Sequence, residues 1–317
     1  MSVDSRSEPL GVPEPIRPST SSGRAGFVPR QAQHERAFAQ LATSFRILAR
    51  NRLALVGGVI ILLGSGMAIF APLLATYDPY AIDIANRLKG PAADHWLGTD
   101  FLGRDTYSRI IWGARTAFQV AIGAVTIGAL IGIPLGAAAG FFSSWLDAVI
   151  MRLMDAIMAF PGRLLAIALV AALGGGFGPL LIAIAISSIP QYGRLVRGVV
   201  LAQREREYVE AARMVGEPPW RILFSEILPN CSAPLVIALS LDFAHAILIE
   251  STLSFLGLGF PPPTASWGLM LKEVTPFLEL QPLAAIFPGA AIAITILGFN
   301  MFGDGLRDIL DPRHYQE

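Results

Sequence analysis

Residues 53–74 read LALVGGVIILLGSGMAIFAPLL, and no side chain in this run is charged. About 20 apolar residues in a helix cover the roughly 30 Å of hydrocarbon in a bilayer. A cleaved signal peptide would place a shorter apolar stretch near the start, whereas some fifty mostly polar residues precede this one. The run therefore predicts a membrane-spanning helix.

The composition of the whole chain agrees with a membrane protein. Of its 317 residues 53% are hydrophobic and 15% are charged, against about 25% charged residues in soluble globular proteins. A formal net charge of zero gives no indication of a nucleic-acid partner. The single cysteine, Cys231, excludes an internal disulfide framework and a metal site built from cysteines.

Five further apolar runs predict five more spans, so that both termini lie on one side of the membrane. They cover 118–142, about 161–175, about 179–196, about 232–257 and about 283–303. The run at 118–142 is rich in Gly and Ala, which allow close packing of membrane helices, and Pro134 predicts a kink in it. Residues 146–160 could extend the third span, but Arg163 would then lie deep in the bilayer at high cost. We therefore expect a break at Pro161 and an interfacial helix over 146–160.

The distribution of basic residues predicts the orientation of the spans. Segments on the side of the termini carry thirteen arginines close to the membrane, and those on the other side carry six arginines and lysines. An excess of basic residues marks the cytoplasmic side, so both termini are expected there. Residues 1–39 combine Pro, Ser, Gly and scattered charges and predict a disordered cytoplasmic tail.

A polar stretch, EYVEAARMVGEPPWRILFSEILPN at 207–230, separates the fourth and fifth spans. Its pattern predicts a helix over 208–215 capped by Gly216, and a second helix from Trp220 to Leu228 that ends before Pro229. Two short helices parallel to the membrane would offer a rigid surface to a soluble partner. Glu207, Glu210 and Arg213 are expected to face water.

This stretch resembles the EAA loop of the membrane subunits of ABC importers. The matching positions are Glu210, Ala211, Ala212 and Gly216, followed by Leu228 and Pro229. In that family the loop is the coupling helix that docks in a cleft of the cytoplasmic ATPase. One position departs, because Glu226 stands where the usual form has Ile.

Four other segments, at 95–118, 246–259, 262–271 and 299–313, resemble the C-type permease subunits of dipeptide and oligopeptide importers. The resemblance covers roughly residues 40–315. It implies an all-α membrane protein with six transmembrane helices, in which five form a type I importer core and the N-terminal span is extra. The implied parts are a cytoplasmic tail (1–39), the N-terminal span (40–75), an extracytoplasmic segment (76–115), the core (116–303) with its coupling loop (202–230), and a cytoplasmic C-terminal tail (304–317).

The resemblance also implies a function, a location and partners. The chain would be one of two pore-forming subunits of an ATP-driven importer of dipeptides or short oligopeptides in the bacterial cytoplasmic membrane. A second homologous permease, one or two ABC ATPases and an extracytoplasmic solute-binding protein would complete the complex. ATP and Mg would be bound by the ATPases, and no cofactor by this chain. Nickel and glutathione importers resemble the same subfamily and stay open as alternatives.

The segment between the first two spans contains a helical pattern at 106–118. Apolar residues lie on and around one face, with Arg104, Arg109 and Arg115 among the polar positions. We expect a helix in the membrane interface. A small folded extracytoplasmic cap is the alternative, and either could contact the solute-binding protein.

The fifth span carries Asp242, His245 and Glu250, and ionisable residues at membrane depth are candidates for function. Asp242 and His245 are three residues apart and could simply pair on one helix face. Glu250 has no such neighbour, so it is expected either to line the transport pathway or to pack against a polar group of the partner permease. A metal-ligand role for His245 is the least favoured interpretation.

Other chemistries lack their motifs. GGGFG at 174–178 has no following Lys and reads as a turn, so the chain is not itself the ATPase. A secondary transporter should show paired inverted repeats with broken helices, and none is evident. A membrane-embedded hydrolase needs a nucleophile with a convergent base, and Ser65 and Ser254 have no evident partner.

Overall fold

The computed structural model describes residues 51–142 and 144–310. The predicted tail at 1–39 and the last seven residues lie outside this part of the chain. All secondary-structure elements assigned within these described ranges are helices. The longer ones are α1 (Arg52–Ile69), α2 (Thr106–Phe141), α3 (Ser144–Met158), α4 (Gly162–Leu173), α5 (Phe177–Gln203), α6 (Glu207–Met214), α7 (Ser232–Leu256), α8 (Trp267–Val274) and α9 (Leu283–Leu310).

Five helices, α1, α2, α5, α7 and α9, are long and apolar enough to cross a membrane. The third predicted span is different. Helices α3 and α4 form a pair bent by 83°, and the break falls at residues 159–161, where Pro161 predicted it. Because α4 has only 12 residues, it rises about 18 Å and does not cross roughly 30 Å of hydrocarbon alone. Within residues 51–142 and 144–310, five helices are thus candidate spans, and the bent α3–α4 pair is a sixth candidate.

Helix α2 corrects the prediction for residues 106–118, which do not form a separate interfacial helix. They are the first turns of one 36-residue helix that continues through Pro134 to Phe141. At about 1.5 Å per residue this helix is about 54 Å long, so it exceeds the hydrocarbon thickness by several turns. Ser108, Arg109 and Ile111 are buried because this end packs inside the protein.

Helices α2 and α5 make the central packing of the structure. A Cβ atom at Gly136 would lie 2.2 Å from the carbonyl oxygen of Gly193, and one at Gly132 would lie 2.7 Å from that of Ile189. Only glycine permits such an approach of two helix backbones, which is how membrane helices gain close contact. The predicted role of the small residues in this span is seen in the structure.

The first and last helices pack against each other. Asn51 caps α1, accepting from the backbone N–H groups of Leu53 and Ala54, and it also donates to Asp308 at the end of α9. Residues 304–310, predicted to belong to a C-terminal tail, continue α9 instead. The apolar pattern that defined the sixth span ended near 303, but hydrogen bonding of the helix does not depend on apolar residues.

Candidate functional site: the polar loop and the buried acids

The polar loop, residues 202–230, contains helix α6 from Glu207 to Met214, and a glycine caps this helix. Gly216 has a φ of +81°. Its N–H donates to the carbonyl of Arg213, and the N–H of Glu217 donates to that of Ala212. These two bonds form a Schellman motif, which satisfies carbonyls at the end of a helix. The predicted capping role of Gly216 is therefore seen in the geometry.

The second half of the loop corrects the prediction that a helix ends before Pro229. Helical backbone runs without interruption from Pro219 to Asn230, and its middle, Ile222–Ile227, is a π-helix. Proline lacks the N–H that an α-helix needs, and a wider turn before it accommodates that loss. The same wide turn directs Ile227 fully inward, whereas Glu226 is half-buried. Ile227 thus supplies the buried apolar side chain that the usual form of the EAA loop places at position 226.

The loop is anchored to the ends of two spanning helices. Its buried side chains pack with those of α2 and α5 in one cluster, which contains Ala137, Val196, Val200, Val209, Ile222, Leu223, Ile227 and Cys231. Half-buried Ala212 and Leu228 contact the same cluster. A loop held by this many buried contacts can transmit a displacement to the spans rather than absorb it.

The exposed residues of the loop include four large apolar side chains. Met214 is 86% exposed, and Val215, Trp220 and Phe224 are also exposed. The predicted polar positions Glu207, Glu210 and Arg213 are exposed as expected, and so are Ala211 and Pro229. We name Met214, Val215, Trp220 and Phe224 the apolar face. Sequence reasoning missed this face, although a Met-Val pair before the capping glycine and a Trp after two prolines were its signal.

Glu250 is buried and accepts hydrogen bonds from three serine hydroxyls. Its Oε1 accepts hydrogen bonds from Ser254 at 2.8 Å and Ser266 at 2.9 Å, and Oε2 accepts one from Ser251 at 3.2 Å. The residue is 0% exposed. Its hydroxyl partners tie α7 to the start of α8. A role in the pathway or at a partner subunit stays a prediction.

Asp242 and His245 do not form the pair that their spacing suggested. Asp242 accepts hydrogen bonds from Tyr192 at 2.6 Å and from Ser188 at 3.2 Å, both on α5. His245 is exposed on α7. The three ionisable residues of this span thus occupy separate environments, and no cluster of three possible metal ligands occurs within the described ranges.

A charged cluster that sequence reasoning missed joins the segment between α1 and α2 to helix α8. Arg104 and Arg109, 2% and 0% exposed, both donate to Oε2 of Glu273, at 2.8 Å and 3.0 Å. Arg104 also donates to Asp100 at 2.5 Å. Nearby, Trp267 of α8 donates to the backbone carbonyl of Ile110 at 2.9 Å. This cluster explains why the start of α2 is buried rather than interfacial.

Comparison with known proteins adds the decisive observation. A model of the family "Binding-protein-dependent transport system inner membrane component" matches residues 132–314, more than half of the chain. This chain belongs to that family. A second model, the N-terminal transmembrane domain of oligopeptide transport permease C, matches residues 39–91. The chain is thus a pore-forming membrane subunit of an ABC importer, and the resemblance seen in the sequence is confirmed.

Individual relatives and a solved structure agree with the family. The chain is 44% identical over 96% of its length to the dipeptide transport system permease protein DppC of Alkalihalophilus pseudofirmus, covering 97% of that protein. It is also 44% identical, over 85% of its length and 90% of the relative, to the glutathione transport system permease protein GsiD of Pectobacterium atrosepticum. A structure of the MetNI methionine ABC transporter in an inward-facing conformation matches 64% of this chain and 96% of its own, with a TM-score of 0.54 and 15% identity. That likeness confirms the predicted all-α importer fold.

Proposed function

We propose that this permease subunit imports dipeptides or short oligopeptides, and that the polar loop couples it to a cytoplasmic ATPase. One observation supports the coupling role. The loop is anchored to α2 and α5 by buried side chains, and it also exposes the apolar face. Soluble surfaces rarely expose a group of large apolar side chains without a partner. The loop has the helix and capping glycine of an EAA-type loop at the positions that match that motif.

The substrate class follows from the relatives. One carries a dipeptide permease name, another is a probable D,D-dipeptide permease of Escherichia coli, and others are glutathione permeases. Glutathione is itself a tripeptide, so these names share a short peptide as cargo. Import of glutathione with the same architecture is the second candidate, and nickel import stays an alternative.

The complex would contain a second permease, one or two ATPases that bind ATP and Mg, and an extracytoplasmic binding protein. The loop would face the cytoplasm together with both termini. The excess of basic residues on that side supports this orientation. Asp242 and Glu250 would support transport by holding α7 to α5 and α8, rather than by contacting the peptide, while His245 remains a candidate for lining the pathway.

The coupling role can be tested by purifying the complex that contains this chain and measuring whether the ATPase is retained and stimulated. Met214→Glu places a charge in the apolar face, where a desolvated unpaired charge can cost several kcal/mol of binding. We expect the ATPase to be lost on purification or to be no longer stimulated by peptide-loaded binding protein. Ala202→Glu adds the same charge at an exposed position at the end of α5, within residues 202–230 but outside the apolar face, and is therefore the matched control for that face. Equal ATPase retention and stimulation in both variants would contradict the proposal.

Competition separates the candidate substrates. Cells expressing the complex should take up a radiolabelled dipeptide, and unlabelled dipeptide should reduce this uptake more than glutathione or Ni²⁺ does. Stronger competition by glutathione would favour the second candidate. Normal coupling with no peptide uptake would leave the loop assignment intact and reject the substrate.

A further inference from the structure

A groove of about 440 Å³ lies between α1 and α2, away from the polar loop and the buried acids. Ala68 and Phe118 form its floor and are 7% and 6% exposed. Ile69 and Ile122, which are 69% and 53% exposed, form its walls. These four residues give the groove an apolar floor and apolar walls.

The polar lining residues of the groove are Arg115, Gln119 and Ser65, and no carboxylate lines it. The guanidinium of Arg115 lies 5.4 Å from the ring centroid of Trp112. Among the described residues Arg115 forms no ion pair and no hydrogen bond. A half-buried guanidinium with free N–H donors is a recognition group for phosphate, which it can bind through two parallel hydrogen bonds.

The position of Arg115 along α2 matches the depth of a lipid headgroup. It is the last charged residue before residues 116–141, which contain no Asp, Glu, Lys or Arg. Trp112, one turn earlier, is of the residue type that concentrates at the membrane interface. On the other wall, α1 ends at Ile69, so both walls of the groove reach the same boundary.

The remaining polar groups of the groove lie at the depth of the ester region of a phospholipid, below its phosphate. Gln119 lies one turn deeper than Arg115 on the same helix, about 6 Å along the axis. Its amide and the hydroxyl of Ser65 can donate to the ester carbonyls that lie below a phosphate. Ile122 lies deeper still, where acyl chains begin.

We propose that this groove binds an anionic phospholipid, with the phosphate on Arg115, the ester region beside Gln119 and Ser65, and an acyl chain that continues along Ile122. Charge selects the occupant, because an unpaired cation beside an apolar floor with no acid fits an anionic lipid. If a helix of the partner permease covered the groove instead, that helix would have to place a carboxylate beside Arg115. The site would tie the extra N-terminal span to the core through a lipid.

The test uses the purified full complex, titrated with dioleoylphosphatidylglycerol and analysed by native mass spectrometry. A basic residue near a membrane surface contributes about 1 kcal/mol to anionic lipid binding, so Arg115→Gln should raise the dissociation constant about fivefold. Arg87→Gln removes an exposed cation outside the groove and should leave it unchanged. Ser65→Leu keeps the charge but fills the groove, and should also weaken binding. Dioleoylphosphatidylcholine should bind less tightly than the anionic lipid, and inorganic phosphate should not compete.

Three outcomes would overturn the proposal. The first is wild-type lipid binding in either the Arg115 or the Ser65 variant. The second is displacement of the lipid by inorganic phosphate alone. The third is capture of the partner permease, instead of lipid, by a photo-crosslinking residue at Gln119.

Discussion

The Ser266 hydroxyl donates a 2.9 Å hydrogen bond to the Glu250 carboxylate and so joins the beginning of α8 to the middle of α7. Ser251 and Ser254 donate to the same carboxylate from within α7. Gly268 packs on this site so closely that a Cβ there would lie 2.2 Å from the carbonyl oxygen of Ser251. Glu250 therefore acts as the central acceptor of the α7–α8 connection.

Glu250→Ala should destabilise this connection more than Glu250→Gln. Removing the acceptor leaves buried hydroxyls unsatisfied, at about 1–3 kcal/mol for each group left without a partner. Glutamine keeps one acceptor oxygen in nearly the same place. Thermal unfolding of the purified complex should show a larger loss for alanine, with Thr252→Ala as the control, because that hydroxyl bonds only to Leu248 of its own helix. A larger defect in transport than in stability for Glu250→Gln would instead favour a role for the charge in the pathway.

The sequence was sufficient to predict five helices that are long and apolar enough to cross a membrane, and where the polar loop turns. Apolar length, proline and glycine are local signals, and the break at Pro161 and the cap at Gly216 depend only on them. The burial and the hydrogen-bond partners of Arg109 and Glu250 could not be predicted from local signals. Their partners lie far away along the chain, at Glu273 for the first and partly at Ser266 for the second. Helix periodicity shows that a residue is ionisable, but not which distant segment satisfies it.

Glu273→Ala should be among the most damaging single substitutions in the chain. It leaves Arg104 and Arg109 buried with Asp100 as their remaining acid, and breaking a buried ion pair from one side costs about 3–5 kcal/mol. We expect faster proteolysis of residues 75–105 in the purified complex and a lower unfolding temperature. Glu279→Ala removes an exposed acid just beyond α8 and serves as the matched control. Equal protease resistance of the two variants would show that the cluster does not hold this segment.

Single cysteines should report the proposed orientation in intact cells. Cysteines at Ala93 and Leu280 should react with an impermeant maleimide, whereas one at Val215 should react only after the membrane is opened. Native Cys231 should contribute little background, because it is fully buried and burial raises the pKa of its thiol, which leaves less reactive thiolate at neutral pH. Labelling at Val215 in sealed cells would reverse the orientation and remove the coupling role of the loop.

Gly216 offers a test that separates backbone conformation from packing. No atom lies within 4 Å of a Cβ built at this position, so a side chain has room and only the positive φ opposes it. Gly216→Val should therefore cost about 1–2 kcal/mol locally through left-handed strain, while Gly216→Asn should be tolerated because asparagine adopts this conformation more readily. A local cost of this size re-aims the turn into Pro218 without unfolding the spans.

In the assay of coupling, the Gly216 variants should therefore rank by how readily the new residue adopts a positive φ. Stimulation of ATP hydrolysis by loaded binding protein should fall strongly in Gly216→Val and remain near wild type in Gly216→Asn, with the complex assembled in both. Gly198→Ala is the control, because Gly198 lies in α5 with a helical backbone and open space around it. Equal loss in the Val and Asn variants would point to the side chain rather than the cap. No loss in either would mean that the Schellman motif only joins two helices and carries no signal to the ATPase.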